Sequence, residues 1–498
     1  MYNAYITRIK NLHKHPNADK LQMGECFGNT IIVSMEYENN QLGIYFPSDG
    51  QLSVEFAEAN NLLRKKDEAG NNIGGYMDPN KRNVTAIRLR GEKSDGLFLP
   101  LKALESFGDI TTLNEGDRIS NFNGHEICCK YIPRRNHRSG GTSKGNKTRK
   151  KRVNIAPLFV EHADTEQLAY NLSAFKPGDE IEITLKMHGT SQRTGHLKVF
   201  KGYNIKNPFK KWIANKADEL LKKHGELIPC DQFLYDWAIK NATPIYDWGY
   251  VSGTRRTVLE NYDGGYYGSN EFREAHSKFF EGKLWKGEEI FYEVVGFTHT
   301  GAPIMSIADN KKLNDKEFVK QYGKTTVFSY GCDPDPSAWV PHDHCEQEPK
   351  LPQSDIYVYR MTMTNEDGDV VEYTPDFMRY RCEQMGVKTV PGFAKVYVKE
   401  DAVIAHHTDG NISGGNLPED VSIGDAVKMI AERFYDGPDP IGKTHVREGV
   451  VVRIVNRPKF CAYKHKNFSF KVLEGICKAE AEAPDMEEAE DVTNELSQ

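Results

Sequence analysis

The 498-residue sequence has no apolar run near the ~20 residues that a membrane-spanning helix requires, so no span is expected. Met1 to Thr7 lacks a basic stretch followed by an apolar one, so the expectation is no secretory signal and a cytoplasmic location. Cysteine is sparse and odd in number: nine, scattered, at spacings that resemble no disulfide framework. That pattern points to a reducing compartment. Cys332, His342, His344 and Cys345 are residue types that bind zinc, but the stretch has no CxxC pair and is rich in Pro and Asp, which reads as an ordinary loop. Internal repeats and heptads are missing as well. A net charge of -6 excludes a uniformly basic protein.

What the chain does have is charge in blocks. Residues 134–152 carry nine Lys or Arg and no acid, whereas Glu480 to Glu495 carries eight acids and no base. Blocks of like charge are solvated, and the basic one can meet phosphates without sequence preference. With 38% apolar and 27% charged residues the remainder reads as globular, with length for two to four domains at roughly 100–200 residues each. The expected organisation is a first domain over 1–130, a basic linker over 131–152, a main domain over 153–475 and an acidic tail over 476–498.

Residues 1–130 read as short strands between turns. Ile31-Ile32-Val33, Leu42 to Phe46 and Val84 to Leu89 are strand-like, and Pro47-Ser48-Asp49-Gly50, Gly74-Gly75 and Pro79-Asn80 are turns, which suggests a small β-barrel. The main domain mixes strand-like runs with helix: Glu180 to Leu185, Glu289 to Val295, Ile356 to Met361 and Gly449 to Ile454 for strands, and Lys210 to Leu221 for a helix with Lys between its apolar positions. That helix reads either as a surface helix on the core or as one that tracks a nucleic-acid backbone. The fold class is α+β.

Chemistry is concentrated in a few positions. Lys186 ends a strand-like run just before Met187-His188-Gly189-Thr190. A lysine becomes a nucleophile when neighbouring charge or burial favours its neutral form. Gly189 would let the backbone approach a phosphate. Glu293 lies in Phe-Tyr-Glu-Val-Val-Gly and Glu448 precedes Gly449 in Arg-Glu-Gly-Val-Val-Val. Lys464 and Lys466 flank His465 and share one face if that stretch is a strand. One nucleophile, two carboxylates and two cations are the inventory of phosphoryl transfer, which works by positioning and charge neutralisation.

The order and spacing of these groups resemble the covalent nucleotidyltransferase superfamily of ligases and capping enzymes over roughly residues 180–470. Lys186-Met187-His188-Gly189 resembles motif I. Val251-Ser252-Gly253-Thr254-Arg255-Arg256 resembles the arginine motif after it. Phe291 to Gly296 resembles motif III, Ile356 to Tyr359 motif IIIa, Glu448 to Val451 motif IV and Lys464-His465-Lys466 motif V. His188 is similar to the His of second-phage-type RNA ligases, where DNA ligases and capping enzymes usually have Asp. Ser191 and Arg360 depart from the pattern, standing where many relatives have Asn and Asp.

His15-Pro16-Asn17-Ala18-Asp19-Lys20-Leu21 and Arg90-Gly91-Glu92-Lys93-Ser94-Asp95-Gly96 resemble the tRNA-binding OB fold. An OB barrel before such a ligase domain is similar to the Deinococcus-type RNA ligase family. The resemblance implies an ATP-grasp-like ligase domain of antiparallel sheets and helices, and Lys186 as the residue that takes AMP from ATP and passes it to a 5′-phosphate end, which a 3′-hydroxyl then attacks. It implies His188 and Gly189 at the nucleotide, Arg255 or Arg256 on a phosphate, Tyr359 or else Tyr357 on adenine, and Lys464 and Lys466 on the phosphates. Glu448 and Glu293 would meet Mg²⁺ or Mn²⁺ or the ribose. RNA ends or nicks would be the partners, tRNA among them, with the protein a monomer. A DNA ligase, a capping enzyme and a non-catalytic RNA- or tRNA-binding protein are the alternatives.

Overall fold

The computed structural model describes residues 2–48, 50–66, 72–75, 77–90, 92–131, 153–160, 162, 165–224, 227–259, 262, 267–313, 315–335, 351–419 and 421–474. The basic block 134–152, the acidic block 480–495, and His342, His344 and Cys345 lie outside the described residues.

In the N-terminal unit, β1 (Ala4–Arg8), β2 (Leu42–Phe46) and β3 (Leu97–Pro100) pair in the order β3-β2-β1, with short Arg118–Ile119 on the far edge of β1. Ile6, Ile44, Phe46, Leu52, Phe56 and Leu104 form its core. Two three-stranded sheets stand beside it. Among the described residues these sheets do not join by hydrogen bonds into a closed barrel. The expected strand Val84 to Leu89 is the reason in part. It breaks at Thr85-Ala86, and its halves pair in different sheets, Asn83–Val84 with Gly50–Leu52 and Ile87–Leu89 with Glu92–Ser94. The two segments that resemble the tRNA-binding fold do meet: His15 Nε2 lies 3.1 Å from the Leu89 carbonyl, and the Asn17 amide donates to the Arg90 carbonyl at 2.9 Å.

The main body packs two sheets over one core. The first contains β5 (Glu180–Lys186), which we number after β4 (Glu166–Gln167). The second begins with β6 (Thr190–Asn204) and continues through β7 (Thr243–Gly253), β8 (Glu288–Gly296) and β9 (Ser354–Thr364) in the hydrogen-bonded order β7-β6-β8-β9. The first sheet is completed by β10 (Gly392–Val398), β11 (Ala402–His407), β12 (Ile412–Asn416), β13 (Gly449–Ile454) and β14 (Cys461–Lys466), in the order β4-β14-β13-β5-β10-β11-β12. Its strands are mostly antiparallel, β4 beside β14 being parallel. Ile181, Ile183, Val450 and Val452 from one sheet meet Ile290, Tyr292, Val294 and Val358 from the other, all at most 1% exposed. Each such aliphatic side chain contributes about 1.5–3 kcal/mol by leaving water.

Between β6 and β7 the chain makes a helical hairpin, α1 (Pro208–His224) and α2 (Pro229–Ile239). Asn207 caps α1, its side-chain oxygen accepting from the backbone of Phe209 and Lys210. Ala214, Ala217 and Ala238 are buried in the hairpin, and Lys210 of α1 bonds the Trp237 carbonyl of α2. A final short helix, α3 (Phe468–Leu473), follows β14. The N-terminal unit docks on the body. Tyr170 packs against Tyr5, Phe27 and Tyr45; Arg118 reaches Glu166 and Asn171; Asp95 accepts from Lys471 of α3 at 2.7 Å.

Candidate active site

Lys186 is the last residue of β5, and Thr190 the first of β6, so Met187-His188-Gly189 carries the chain from one sheet to the other. Across the first sheet Lys186 pairs with Gly449, and Gly449 with Lys466. This register brings three strand ends together and sets Glu448, the residue before Gly449, beside both lysines. Lys186 Nζ lies 2.8 Å and Lys466 Nζ 3.1 Å from Glu448 Oε1. Lys466 also reaches Glu474, just past α3, at 3.0 Å.

Glu448 is 1% exposed. Burial alone would push its carboxyl up, but the charges of Lys186 and Lys466 outweigh it and hold the group below the carboxylate range, at about 2. His188 shows the opposite balance. Its imidazole is enclosed between the Phe328 and Phe470 rings, 4.6 and 4.7 Å away, and its backbone amide donates to the Tyr330 hydroxyl. Burial, and then the two lysines, outweigh Glu448 and lower it to about 3, so it is neutral at pH 7. His188, Glu448 and Glu474 offer ligand atoms within 4.8 Å of one another. Glu448 Oε2 is buried with no hydrogen bond from the described residues, 3.7 Å from His188 Nδ1. The two carboxylates suit a divalent cation such as Mg²⁺ or Mn²⁺, with the neutral imidazole beside them.

Lys186 opens on a cleft that encloses about 960 Å³, part of it open to solvent. Arg255, Glu293, Tyr359 and Lys464 line it with Lys186, so five of the expected residues share one wall. The others sit elsewhere. His188, Glu448 and Lys466 form the cluster behind Lys186. Arg255 rather than Arg256 lines the cleft, as does Tyr359 rather than Tyr357, which is buried in the core. A bulge contributes to that choice: Phe291 pairs with Arg360 but Tyr292 with Val358, leaving Tyr359 as the extra residue. Ser191, directly across β8 from Glu293, bonds the Tyr359 hydroxyl at 3.0 Å.

Gly189 is also where β8 passes closest to the turn. A side chain there would meet the Val294 carbonyl at 2.4 Å and Glu293 Cγ at 2.9 Å, so it is glycine because β8 passes so close.

Three carboxylates alternate or neighbour one another on β8, and only one faces the cleft. Glu288 is held by Arg381 and Glu289 by Arg193, both pairs almost wholly buried, while Glu293 lines the cavity. Glu293 is not one of the three groups whose ligand atoms gather at Glu448.

Several cleft residues escape the sequence reading. His162 stacks near Tyr359, Phe291 and Phe460, and accepts from Arg360 at 2.7 Å. Burial and then the guanidiniums of Arg360, Arg255 and Arg193 hold it well below the usual histidine range. Arg360 is in turn paired with Glu372. Glu182 and Arg379 form an ion pair on the cleft wall beside Arg453 and Phe460. Buried Arg273 donates to the Ser191 carbonyl and to Thr190, fixing the strand that leaves Gly189. Only Glu474 had a legible signal: Asn467 caps an apolar turn that places a carboxylate eight residues past Lys466.

No family model matches the chain, and no curated protein does. Among solved structures it is similar to an RNA ligase of Naegleria gruberi. A mutant of that protein with ATP and Mn is 14% identical over 95% of this chain and 98% of that one, with a TM-score of 0.48. The ligase with PPi is 15% identical over 94% and 97%, TM-score 0.48, and a mutant with AMP and Mn is 14% identical over 94% and 97%, TM-score 0.48.

Proposed function

We propose that the protein is an ATP-dependent RNA ligase whose Lys186 carries AMP. One observation bears most of the weight: a strand-end lysine, held by a buried carboxylate, opens on a cleft whose wall combines cations for phosphates with aromatic rings for a base. An amphipathic ligand of nucleotide size fits such a wall.

In this reading Lys186 Nζ attacks the α-phosphorus of ATP. The new N–P bond forms as the α–β phosphoanhydride breaks, and pyrophosphate leaves. Lys464 and Arg255 neutralise phosphate oxygens, and Tyr359, pinned by Ser191 and backed by His162, stacks on the purine. AMP then passes to a 5′-phosphate, and a 3′-hydroxyl attacks that activated end to release it. Glu448 and Glu474, with His188, would hold Mg²⁺ or Mn²⁺. When bound, the cation supplies positive charge against the triphosphate and competes with Lys186 for the carboxylate, which favours the neutral amine. Glu293 is left to the ribose or to a second cation contact. The preference for RNA over DNA rests on the resemblance carried by His188 and the N-terminal unit.

The test is labelled ATP or GTP with divalent metal, followed by a denaturing gel. ATP should label the wild type and not Lys186→Ala. Label on the alanine variant, or none on the wild type, defeats the reading. Sealing of an RNA 3′-hydroxyl end but not of an all-DNA nick selects RNA.

A further inference from the structure

The helical hairpin between β6 and β7 does not line the cleft, yet among the described residues it carries four of the exposed aromatic rings. Phe209 is 62% exposed and Trp212 57%, stacked on each other at 6.1 Å and 18°. Phe233 and Trp237 of α2 are exposed as well. Ala214, Ala217 and Ala238 are buried in the hairpin, whereas these four rings stay largely in water, Trp237 with one face toward Lys210. Exposed apolar surface of this kind marks a place where something binds.

Its chemistry selects the occupant. Lysines interleave with the rings: Phe209-Lys210-Lys211-Trp212, with exposed Lys206 before them. Lys210 lies 4.4 Å over the Trp237 ring and bonds that residue's carbonyl, tying α1 to α2. A protein-binding patch excludes lysine from its centre, whereas rings that stack on bases among cations for phosphates are how single strands are held. The protein's net charge is -6, so this cluster is no reflection of overall basicity.

The support for the hairpin is stiff and leads to the cleft. β6 pairs with β8 only over Thr190 to Gly195, but with β7 over Arg193 to Asn204, so the outer strands form a two-stranded ribbon. Cross-strand pairs brace it: His196 on Tyr250, Lys198 on Trp248 and Phe200 on Tyr246. From Thr243 to Gly253, two residues before cleft-lining Arg255, β7 runs about 30 Å at the usual rise per residue.

We propose that the outer face of this hairpin binds a single-stranded arm of the RNA whose end is sealed at Lys186, a proposal that rests on the ligase reading for its substrate. Bases stack on Phe209, Trp212 and Trp237 while Lys206 and Lys211 meet phosphates.

The experiment uses the full-length protein and a labelled single-stranded RNA of about 20 nucleotides lacking a 5′-phosphate, so that binding is read without sealing. Phe209→Ala with Trp212→Ala should weaken binding about tenfold or more. Lys206→Ala with Lys211→Ala should lower the slope of log affinity against log salt by about 0.7 per lysine. ATP labelling should stay at the wild-type level in both, which also shows that the body is folded. If the ring variant loses helix by circular dichroism, the lysine variant decides, since it alters only exposed side chains. Wild-type RNA affinity and salt slope in both variants would overturn the proposal. So would unchanged RNA affinity with loss of a wild-type self-association on size exclusion, which would assign the face to a second copy of the chain. A wild type that ATP does not label defeats the ligase reading, while the binding measurements still decide the surface.

Discussion

The ribbon of β6 and β7 has two ends built on opposite rules. At the inner end charges are buried and matched: Arg193 with Glu289, Arg273 on the Thr190–Ser191 backbone, Lys186 with Glu448. At the outer end alanines are the buried residues, and large rings and several lysines face water. Removing one partner of a buried pair strands the other, at about 3 kcal/mol or more. An exposed ring or lysine leaves with little effect on stability, usually within about 0.5 kcal/mol. The inner end is therefore suited to chemistry that depends on position, and the outer end to contact with something large.

The sharpest break in this comparison is Lys186→Ala, which should abolish covalent labelling by ATP while the protein stays folded. Next is Glu448→Gln. It removes a carboxylate that positions Lys186 and would hold the divalent cation, so labelling should fall about 100-fold, and it leaves two lysines facing a neutral amide, so thermal unfolding should reveal a loss of about 3 kcal/mol. Equal labelling by wild type and variant would mean that the buried carboxylate does not serve the lysine.

A pH series sharpens the contrast further. His188 takes up its proton near 6.5 in the unfolded chain but only near 3 in the fold, and Glu448 near 4.5 against about 2. In both cases the unfolded chain binds more protons across the gap. The stability these groups contribute is full above pH 6.5 and is lost as pH falls through 6.5 toward 3, with Glu448 adding to the loss below 4.5. Melting temperatures should follow that course, and His188→Asn should flatten it between pH 6.5 and 4.5. An unchanged slope would show that the histidine is not buried neutral.

A smaller effect is expected at the docked N-terminal unit. Asp95→Asn should reduce RNA sealing about fivefold, the order of one modest ion pair, and leave ATP labelling unchanged. Equal losses in both would make the contact with Lys471 purely structural. The smallest effect belongs to the outer end, where the ring and lysine substitutions should change labelling less than about twofold.

Much of this contrast was readable from the chain. The runs at Leu42 to Phe46 and Gly449 to Ile454 match the observed strands residue for residue, and the helix expected over Lys210 to Leu221 extends by a few residues at each end. Strand alternation put Lys464 and Lys466 on one face, but not which partners each meets: Lys464 lines the cleft and Lys466 pairs with Glu448 and Glu474. What alternation cannot show is which carboxylates another strand neutralises: Glu288, Glu289 and Glu293 look alike until Arg381 and Arg193 take the first two. A bulge is equally silent in sequence, so Tyr357 remained an alternative to Tyr359 until the register slipped by one at Tyr359. His162 carries no local pattern, because its partners Arg360 and Tyr359 come from almost 200 residues away. The helix at Lys210 was legible as amphipathic, but not its orientation, with rings outward and alanines inward.

The three residues between Lys186 and Thr190 join the two sheets, and three residues span at most about 11 Å when fully extended. At that corner the sheets are stitched together, as pages are at the spine of a book. Any widening of the cleft must be greatest at its far edge and least at the lysine. Ligands of different bulk would thus be admitted at the margin while the reacting nitrogen keeps its place.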